Sequence, residues 1–184
     1  ACATLVRMLR WESTTPFGRP VLPEVYRIAA MSTSITRWPA CRGASSCAFH
    51  PTTGTVVFRQ RGHDVEVTAH VAGLTPGAHG FHIHEKGDCS SGDGMSTGGH
   101  FNPKGAPHGQ PGHGPHHSGD IPALKADANG AAKLVWEGDE LTVTDGPLSV
   151  VGRGVIVHRD PDDYKTQPTG NAGPRLACGV VKRM

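Results

Sequence analysis

The sequence has few aromatic residues, little net charge and no long apolar run. Phenylalanine, tryptophan and tyrosine make up 5% of the 184 residues, whereas glycine occurs 25 times and proline 15 times. That composition is typical of short strands joined by turns and not of long helices. No stretch approaches the roughly 20 apolar residues that cross a bilayer, so we expect no membrane span. The net charge of +2 comes without a basic stripe, which argues against a nucleic-acid partner.

Lysine and aspartate are missing from the first 50 residues. This segment holds six arginines and two glutamates, a net charge of +4, whereas the rest holds 12 basic and 14 acidic residues, a net charge of −2. The segment is rich in serine and threonine, and it lacks the continuous apolar core of a secretory signal. We therefore expect residues 1–50 to be an atypical leader, disordered or targeting, in front of one domain at 51–184.

Cysteine is scarce outside that leader. Three of the five, Cys2, Cys41 and Cys47, lie within it, which leaves Cys89 and Cys178 in the domain. Neither has the close spacing of a zinc ribbon, so a disulfide is their natural use, with two buried free thiols as the alternative. The bridge would close about 90 residues and contribute roughly 4–5 kcal/mol in the chain-entropy model. A persistent bridge would indicate an oxidising compartment.

No segment has apolar residues repeating every 3.6 positions over the length of a helix. In several segments, however, apolar and polar residues alternate. Val65, Val67 and Ala69 each lie between polar residues, which is the period of a strand with one buried face. Turn signals such as Asn129-Gly130 separate similar segments. The further strand candidates are residues 54–60, 80–85, 131–137, 148–152, 154–158 and 176–182. Short strands with regular turns indicate an all-β sandwich or barrel.

Two long loops interrupt the strands. Residues 87–120 are dense in glycine, proline, histidine and aspartate, and residues 159–175 form a second loop. Long loops without regular structure in a compact domain are usually functional. We therefore expect these two loops to carry the chemistry of the protein.

Histidine is concentrated around the first loop. His82 and His84 are two apart on a predicted strand, so their side chains share one face at about 6.6–7 Å along the strand. Such a pair alone is often only an exposed face. The loop adds six residues of ligand type: His100, His108, His113, His116, His117 and Asp120. Imidazole suits copper and zinc, and a carboxylate completes a common zinc site. The alternative is a solvated tract that binds metal only adventitiously.

Four motifs are spread over residues 80–179. They are Gly-Phe-His-Ile-His-Glu at 80–85, Gly-Gly-His-Phe-Asn-Pro at 98–103, Gly-Val-Ile-Val-His at 154–158 and Gly-Pro-Arg-Leu-Ala-Cys-Gly at 173–179. In their order and spacing they resemble the copper-zinc superoxide dismutases, particularly the bacterial form, and the likeness runs from about residue 53 to 182. It implies a Greek-key β-sandwich or flattened barrel of about eight antiparallel strands with two long functional loops.

The resemblance also implies a paired metal site with one copper and one zinc per subunit. It makes the copper ligands His82, His84, His100 and His158. It makes the zinc ligands His100, His108, His117 and Asp120, so that His100 bridges the two metals. Asp162 would be the outer carboxylate that links His82 with His108 and fixes their rings. Cys89 and Cys178 match the disulfide of the family.

The reaction implied by the resemblance is the disproportionation of superoxide to dioxygen and hydrogen peroxide, as antioxidant defence. The copper centre would cycle between Cu(II) and Cu(I), while zinc would be structural. Two residues would be catalytic. His100 would take up a proton and pass it to the product, and Arg175 would attract and orient the superoxide anion. Because residues 51–184 carry a net charge of −2, steering would depend on the local field of the metals, Arg175 and Lys86 or Lys104.

Other histidines are kept out of the implied site. His79 is expected to be structural, His70 solvated, and His113 and His116 exposed, although His116 could compete with its neighbour His117 for zinc. Two other functions are weighed against the enzyme: a related domain that delivers copper without catalysis, and a buffer that binds several metal ions loosely through the histidine-rich loop. Metal stoichiometry distinguishes the enzyme from the buffer.

The resemblance and the cysteine pair together favour a periplasmic or secreted protein, with a cytosolic location as the alternative. The oligomeric state is left open, because bacterial relatives include monomers as well as dimers, and a homodimer is therefore one of two arrangements.

Overall fold

A computed structural model of the chain describes residues 25–27 and 52–183. These residues contain nine β-strands and one short 3-10 helix, and none of them lies in an α-helix. No helix in the described part is long and apolar enough to cross a membrane. The elements are β1 Val25–Arg27, β2 Thr53–Arg61, β3 Asp64–Ala72, β4 Gly77–His84, the 3-10 helix Met95–Thr97, β5 Asp120–Ala126, β6 Ala132–Gly138, β7 Gly154–His158, β8 Arg175–Val180 and β9 Lys182–Arg183.

The strands form one antiparallel sheet in the order β8-β7-β4-β5-β6-β3-β2-β1-β9. β8 and β9 lie at opposite ends of this order, yet only Val181 separates them along the chain. Because one C-terminal segment borders both ends, the sheet curls into a flattened barrel and leaves little free edge. This confirms the predicted all-β fold.

Three residues of the expected leader take part in this sheet. Val25–Arg27 pairs with residues 57–59 of β2 and with Lys182–Arg183 of β9. The other residues of 1–50, including Cys2, Cys41 and Cys47, lie outside the described residues. The extent of the leader therefore stays a prediction.

The alternating pattern read from the sequence packs the core. In β3, Val65, Val67 and Ala69 have no exposed surface, whereas His70 is exposed. Phe58 of β2 lies opposite Val67 and is also fully buried. Burying a side chain of this size contributes about 1.5–3 kcal/mol, so the period of two fixes which face of each strand turns inward.

The predicted strand at residues 148–152 is wrong. Ser149 forms only an isolated bridge with Thr142, and the backbone of Thr142 bonds to Leu148 and Val150. These bonds close a turn around Gly146 and do not extend a ladder. The apolar residues there pack as part of a loop, since Val150 is fully buried.

β5 is absent from the predicted strands because Pro122 argues against a strand at this position. The register between β4 and β5 shifts by one residue beside Pro122. This bulge admits a residue that has no N–H to donate. The N–H of Ala123 leaves the ladder as well and donates to the hydroxyl of Tyr164 at 2.9 Å.

The two strands at the centre of the histidine-rich region are buried over most or all of their length. β4 lies between β5 and β7, and its last six residues are buried, as are all five residues of β7. His82 lies opposite Ile156 and His84 opposite Gly154. Because the two strands are antiparallel, the loops that follow β4 and β7 leave from opposite ends of the pair.

Candidate metal centre

β4 and β7 bring three histidines together. His82 and His84 share one face of β4, as the spacing predicts, while Phe81 and Ile83 are buried in the hydrophobic core. His158 ends the neighbouring strand β7, with its ring centroid 4.9 Å from that of His82 and 5.7 Å from that of His84. The strand pairing therefore sets the spacing of the three rings.

His100 reaches the same place from the loop. It forms a β-bridge with His84, and the next residue, Phe101, donates its N–H to the carbonyl of Ile83 at 2.8 Å. The ring of His100 stacks on that of His82 with centroids 4.0 Å apart, and it lies 5.4 Å from the ring of His117. His100 therefore stands between the strand histidines and the loop histidines.

The site consists of two groups of buried ligand-type residues that share His100. In each group, the nitrogen or oxygen atoms that could hold a metal all lie within 4.8 Å of one another. We call the first the strand group; it contains His82, His84, His100 and His158. We call the second the loop group; it contains His100, His108, His117 and Asp120.

The strand group presents four buried nitrogens that have no hydrogen-bond partner in the described part of the chain. They are Nδ1 of His82 and the Nε2 atoms of His84, His100 and His158. Buried polar atoms are rarely left unpaired, so a group of four requires an explanation. Four neutral imidazoles form a donor set that is compatible with copper.

The other ring nitrogens of the three strand histidines are held by hydrogen bonds. His82 Nε2 donates to Asp162 Oδ2 at 2.7 Å, and His84 Nδ1 and His158 Nδ1 donate to the carbonyls of Gly98 and Gly173, each at 3.0 Å. A proton fixed on one nitrogen leaves a lone pair on the other. The tautomer of each ring therefore directs a lone pair into the strand group.

The loop group is arranged around the carboxylate of Asp120. Its Oδ1 lies 2.8 Å from His100 Nδ1 and 3.4 Å from His117 Nδ1, and its Oδ2 lies 3.1 Å from His108 Nδ1. The backbone N–H groups of Gly109 and His117 donate to Oδ2 at 3.1 and 2.9 Å. Three imidazoles and one carboxylate form a donor set that suits tetrahedral zinc.

Asp162 joins the two groups. Its Oδ2 accepts from His82 and its Oδ1 accepts from His108 Nε2 at 2.9 Å. The N–H of Tyr164 also donates to Oδ1, at 2.7 Å. An added Cβ at Gly170 would lie only 1.8 Å from Oδ1, so the second loop can close over this carboxylate only with glycine at that position.

Burial keeps the strand histidines neutral in the absence of metal. It lowers the pKa of His82 from 6.5 to about 3, that of His84 to about 2 and that of His158 to about 4. Burial likewise lowers the pKa of His100. Unprotonated nitrogens are the form that binds metal, so these rings are ready to bind a metal ion at neutral pH.

The two carboxylates remain charged despite their burial. Burial alone would raise the pKa of Asp120 and of Asp162, but hydrogen bonds from the surrounding histidines hold both well below their usual range. Burial alone would lower the pKa of His108, but its hydrogen bonds to Asp120 and Asp162 raise it to about 9. The loop group therefore provides negative charge for a cation.

A disulfide between Cys89 and Cys178 ties the first loop to β8. It confirms the predicted pairing and excludes two free thiols. The bridge spans 89 positions of sequence and anchors the start of the loop to β8, while the loop ends at β5.

The sequence of residues 52–181 matches the family model described as copper/zinc superoxide dismutase (SODC). The chain belongs to this family. Its members are oxidoreductases that act on superoxide, and the two histidine groups are compatible with the copper and zinc that the family binds. A crystal structure titled as that of the clock protein EA4 is similar to this chain, with 34% identity, a TM-score of 0.73 and coverage of 92% of this chain and 100% of that chain.

Arg175 of this dismutase-family chain lies opposite His158 in the pairing of β7 with β8. Its Nη1 donates to the carbonyl of Gly94 and to Thr97 Oγ1, the latter at 2.8 Å, and its Nη2 donates to the carbonyl of Gly98 at 2.8 Å. The guanidinium is therefore held by the same loop segment that leads into His100.

The other histidines in the described part of the chain stand outside both groups. His79 is buried and donates from Nδ1 to the carbonyl of His158 at 2.9 Å, a contact within the scaffold. His70 and His113 are exposed. His116 is partly buried and not exposed as predicted, with Nδ1 3.7 Å from Glu140 Oε2, and it belongs to neither group.

Two side chains that support the site were not predicted from the sequence. Gln167 bonds twice to the backbone of His108, and Thr97 contacts both Arg175 and His84. Both are ordinary polar residues in glycine-rich loops, and no spacing rule points to them. Only their tertiary contacts reveal them.

Proposed function

We propose that this protein disproportionates superoxide to dioxygen and hydrogen peroxide with one copper and one zinc per subunit, as antioxidant defence. The copper would cycle between Cu(II) and Cu(I), and zinc would be structural. Membership of the dismutase family supports the enzyme class. The observation that carries the proposal is the set of four buried, unpaired imidazole nitrogens in the strand group.

In this proposal the strand group holds copper and the loop group holds zinc. The strand group offers four imidazole nitrogens, which suit a redox-active copper ion. The loop group offers three imidazoles and a carboxylate, which suit zinc. His100 belongs to both groups, with Nε2 on the strand side and Nδ1 beside Asp120, and would therefore bridge the metals.

When bound, copper supplies one-electron exchange, which oxidises one superoxide to dioxygen and reduces a second to peroxide. Hydrogen peroxide takes up two protons, of which the protein would provide one and water the other. Nε2 of His100 is the atom that would hold and release that proton, because Nδ1 faces Asp120 on the loop side. The loop group keeps the His100 ring in place during this transfer.

Arg175 would attract and orient the anion. Its guanidinium is fixed by carbonyl and hydroxyl acceptors of the first loop and adjoins the strand group through His158. Lys86 is exposed and would add to the local positive potential. Lys104 is a weaker candidate for this role, because its Nζ lies 3.0 Å from Glu140 Oε1 and its charge is partly compensated.

A periplasmic or secreted location fits this activity, with residues 1–50 as the leader and residues 51–184 as the domain. The disulfide between Cys89 and Cys178 supports an oxidising compartment, since such bridges are rare in the cytosol. Sequencing the N-terminus of the protein isolated from cells would test the location and the leader together. An intact leader on a protein found in the cytosol would contradict both.

The activity is tested by loading the purified protein with copper and zinc and following superoxide consumption. We expect rapid consumption by the wild-type protein, and a large loss in His158→Ala, which removes one ligand of the strand group. His113→Ala is the matched control, because this histidine is exposed and lies outside both groups. Wild-type protein that binds both metals without consuming superoxide would contradict the proposal.

A further inference from the structure

Thr97 is a fully buried polar residue at the end of the 3-10 helix, three positions before His100. It is not among the ligand-type residues of either group. A buried hydroxyl is retained only where it forms hydrogen bonds, since burying it unpaired costs free energy. Its partners therefore indicate what it does.

The hydroxyl of Thr97 connects Arg175 with a histidine of the strand group. Its proton goes to the carbonyl of Gly94, at 2.7 Å, and its oxygen accepts from Arg175 Nη1 at 2.8 Å. The same oxygen lies 3.3 Å from Nδ1 of His84. One atom thus touches both the arginine that would meet the anion and a ring that would bind copper.

The methyl group of Thr97 fixes the direction of the hydroxyl. A Cβ added at Gly154, the first residue of β7, would lie 3.0 Å from Thr97 Cγ2, so the methyl group packs closely over this glycine. Threonine is stiff at χ1 because both substituents branch at Cβ. Packing of the methyl group therefore directs Oγ1 towards Arg175.

The hydrogen bonds of Arg175 leave part of its guanidinium for a ligand. A guanidinium has five N–H donors. The bonds to Gly94, Thr97 and Gly98 use both N–H groups of Nη1 and one of Nη2. Among the described residues no acceptor meets the Nε N–H or the second Nη2 N–H of Arg175. In a guanidinium the Nε N–H and one Nη2 N–H share an edge of the plane, and such an edge matches two atoms of a small anion.

We propose that Thr97 is a positioning residue that holds the guanidinium of Arg175 beside His84 and thereby sets the affinity of the site for small anions. The inference rests on the proposed function, since it assumes that the anion binds between Arg175 and the copper of the strand group. Without the Thr97 hydroxyl, one N–H of Nη1 loses its acceptor, and the guanidinium is free to turn its anion-binding edge away.

Azide is a suitable probe, because it is a small anion that binds copper without being consumed. Its dissociation constant is measured by visible absorption on protein loaded with copper and zinc, after metal content has been determined. We expect Thr97→Val to weaken azide binding about five- to tenfold, the effect of losing one hydrogen bond. Thr97→Ser keeps the hydroxyl and should stay within about twofold of the wild type.

A double-mutant cycle separates positioning from a general structural role. In an Arg175→Ala background, Thr97→Val should have no further effect on azide binding, because the residue acts through the arginine. An equal loss in both backgrounds, or an unchanged dissociation constant in Thr97→Val, would overturn the inference. If Thr97→Val does not load with metal, Thr97→Ala replaces it, because alanine needs no additional space at Gly154. Its azide affinity is then compared with that of the wild type and, in the Arg175→Ala background, with that of Arg175→Ala alone.

Azide binding also keeps this test apart from that of the proposed function. Wild-type protein that consumes no superoxide would contradict the dismutase proposal, whatever azide does. If the wild-type protein consumes superoxide but Thr97→Val leaves the azide affinity unchanged, only the proposed role of Thr97 is contradicted.

Discussion

The side-chain amide of Gln167 makes two hydrogen bonds with the backbone of His108. Oε1 accepts from the N–H of His108 and Nε2 donates to its carbonyl, each at 2.8 Å. The second loop thus holds His108 in two ways, through its backbone by Gln167 and through its ring by Asp162. The proposed zinc ligands on the first loop depend on the second loop for their position.

The first prediction follows from this contact. Gln167→Leu removes both hydrogen bonds and leaves a backbone N–H and a carbonyl of His108 without partners. We expect zinc to be lost to a coloured chelator about tenfold faster, since each bond contributes about 1 kcal/mol and the backbone groups regain water. Gln110→Leu is the control, because Gln110 is exposed in the first loop. Equal rates in the two variants would show that Gln167 does not hold the zinc ligand.

The second prediction concerns Asp162, which accepts from His82 with one oxygen and from His108 with the other. Asparagine has only one carbonyl oxygen. In Asp162→Asn, the amide NH₂ group would therefore face the N–H group of one of the two rings, and that hydrogen bond would be lost. Loss of such an outer hydrogen bond typically costs about 10–100-fold in metal affinity. Competition with chelators should show this loss for copper and zinc, whereas Asp139→Asn, an exposed change, should leave both affinities at the wild-type level.

The third prediction is a pH dependence of the metal-free protein. His82, His84 and His158 titrate in the unfolded chain near 6.5, but burial lowers their pKa values in the folded protein to about 3, 2 and 4. Below pH 6.5 the unfolded chain therefore takes up protons that the folded protein does not. Each of these histidines removes about 1.4 kcal/mol of stability per pH unit in that range.

Urea unfolding of the metal-free protein at several pH values measures this effect. The free energy of unfolding should fall steadily as the pH drops from 6.5 towards about 4. His108, whose pKa is raised to about 9, adds no slope there and instead removes stability as the pH rises through 9. A free energy of unfolding that stays constant below pH 6.5 would contradict the burial of neutral rings.

The fourth prediction tests steering by Arg175. Arg175→Ala should slow superoxide consumption while copper and zinc contents stay unchanged, because the arginine belongs to neither group. The slower rate should also depend less on ionic strength, since salt screens the attraction that the guanidinium provides. Lys125→Ala serves as the control for a change of one exposed charge. The same salt dependence in Arg175→Ala and wild type would exclude the steering role.

The sequence predicts the strands correctly where apolar and polar residues alternate without interruption. The prediction fails where a single residue breaks this alternation. Val65 and Val67 indicate β3 correctly. Pro122 argues against β5, because the bulge that admits the proline and the hydroxyl that accepts from Ala123 are tertiary features that the sequence does not show. The apolar residues near Val150 suggest a strand, yet they pack in a loop that bonds to Thr142.

The candidate site divides in a similar way. The resemblance to the family predicts the seven ligand-type residues, and the structure brings them into two groups. Which metal each group binds stays a prediction. Gln167 and Thr97 could not be predicted, because a glutamine or threonine in a loop has many structural uses and only its contacts distinguish them.

The central claim is that His100 joins two different metal ions. Anomalous diffraction from a crystal of the protein loaded with copper and zinc, recorded at the absorption edges of both metals, tests it directly. The account predicts copper at the strand group, zinc at the loop group and the imidazole of His100 between them. A crystal that holds both metals, but with His100 bound to only one of them, would contradict it.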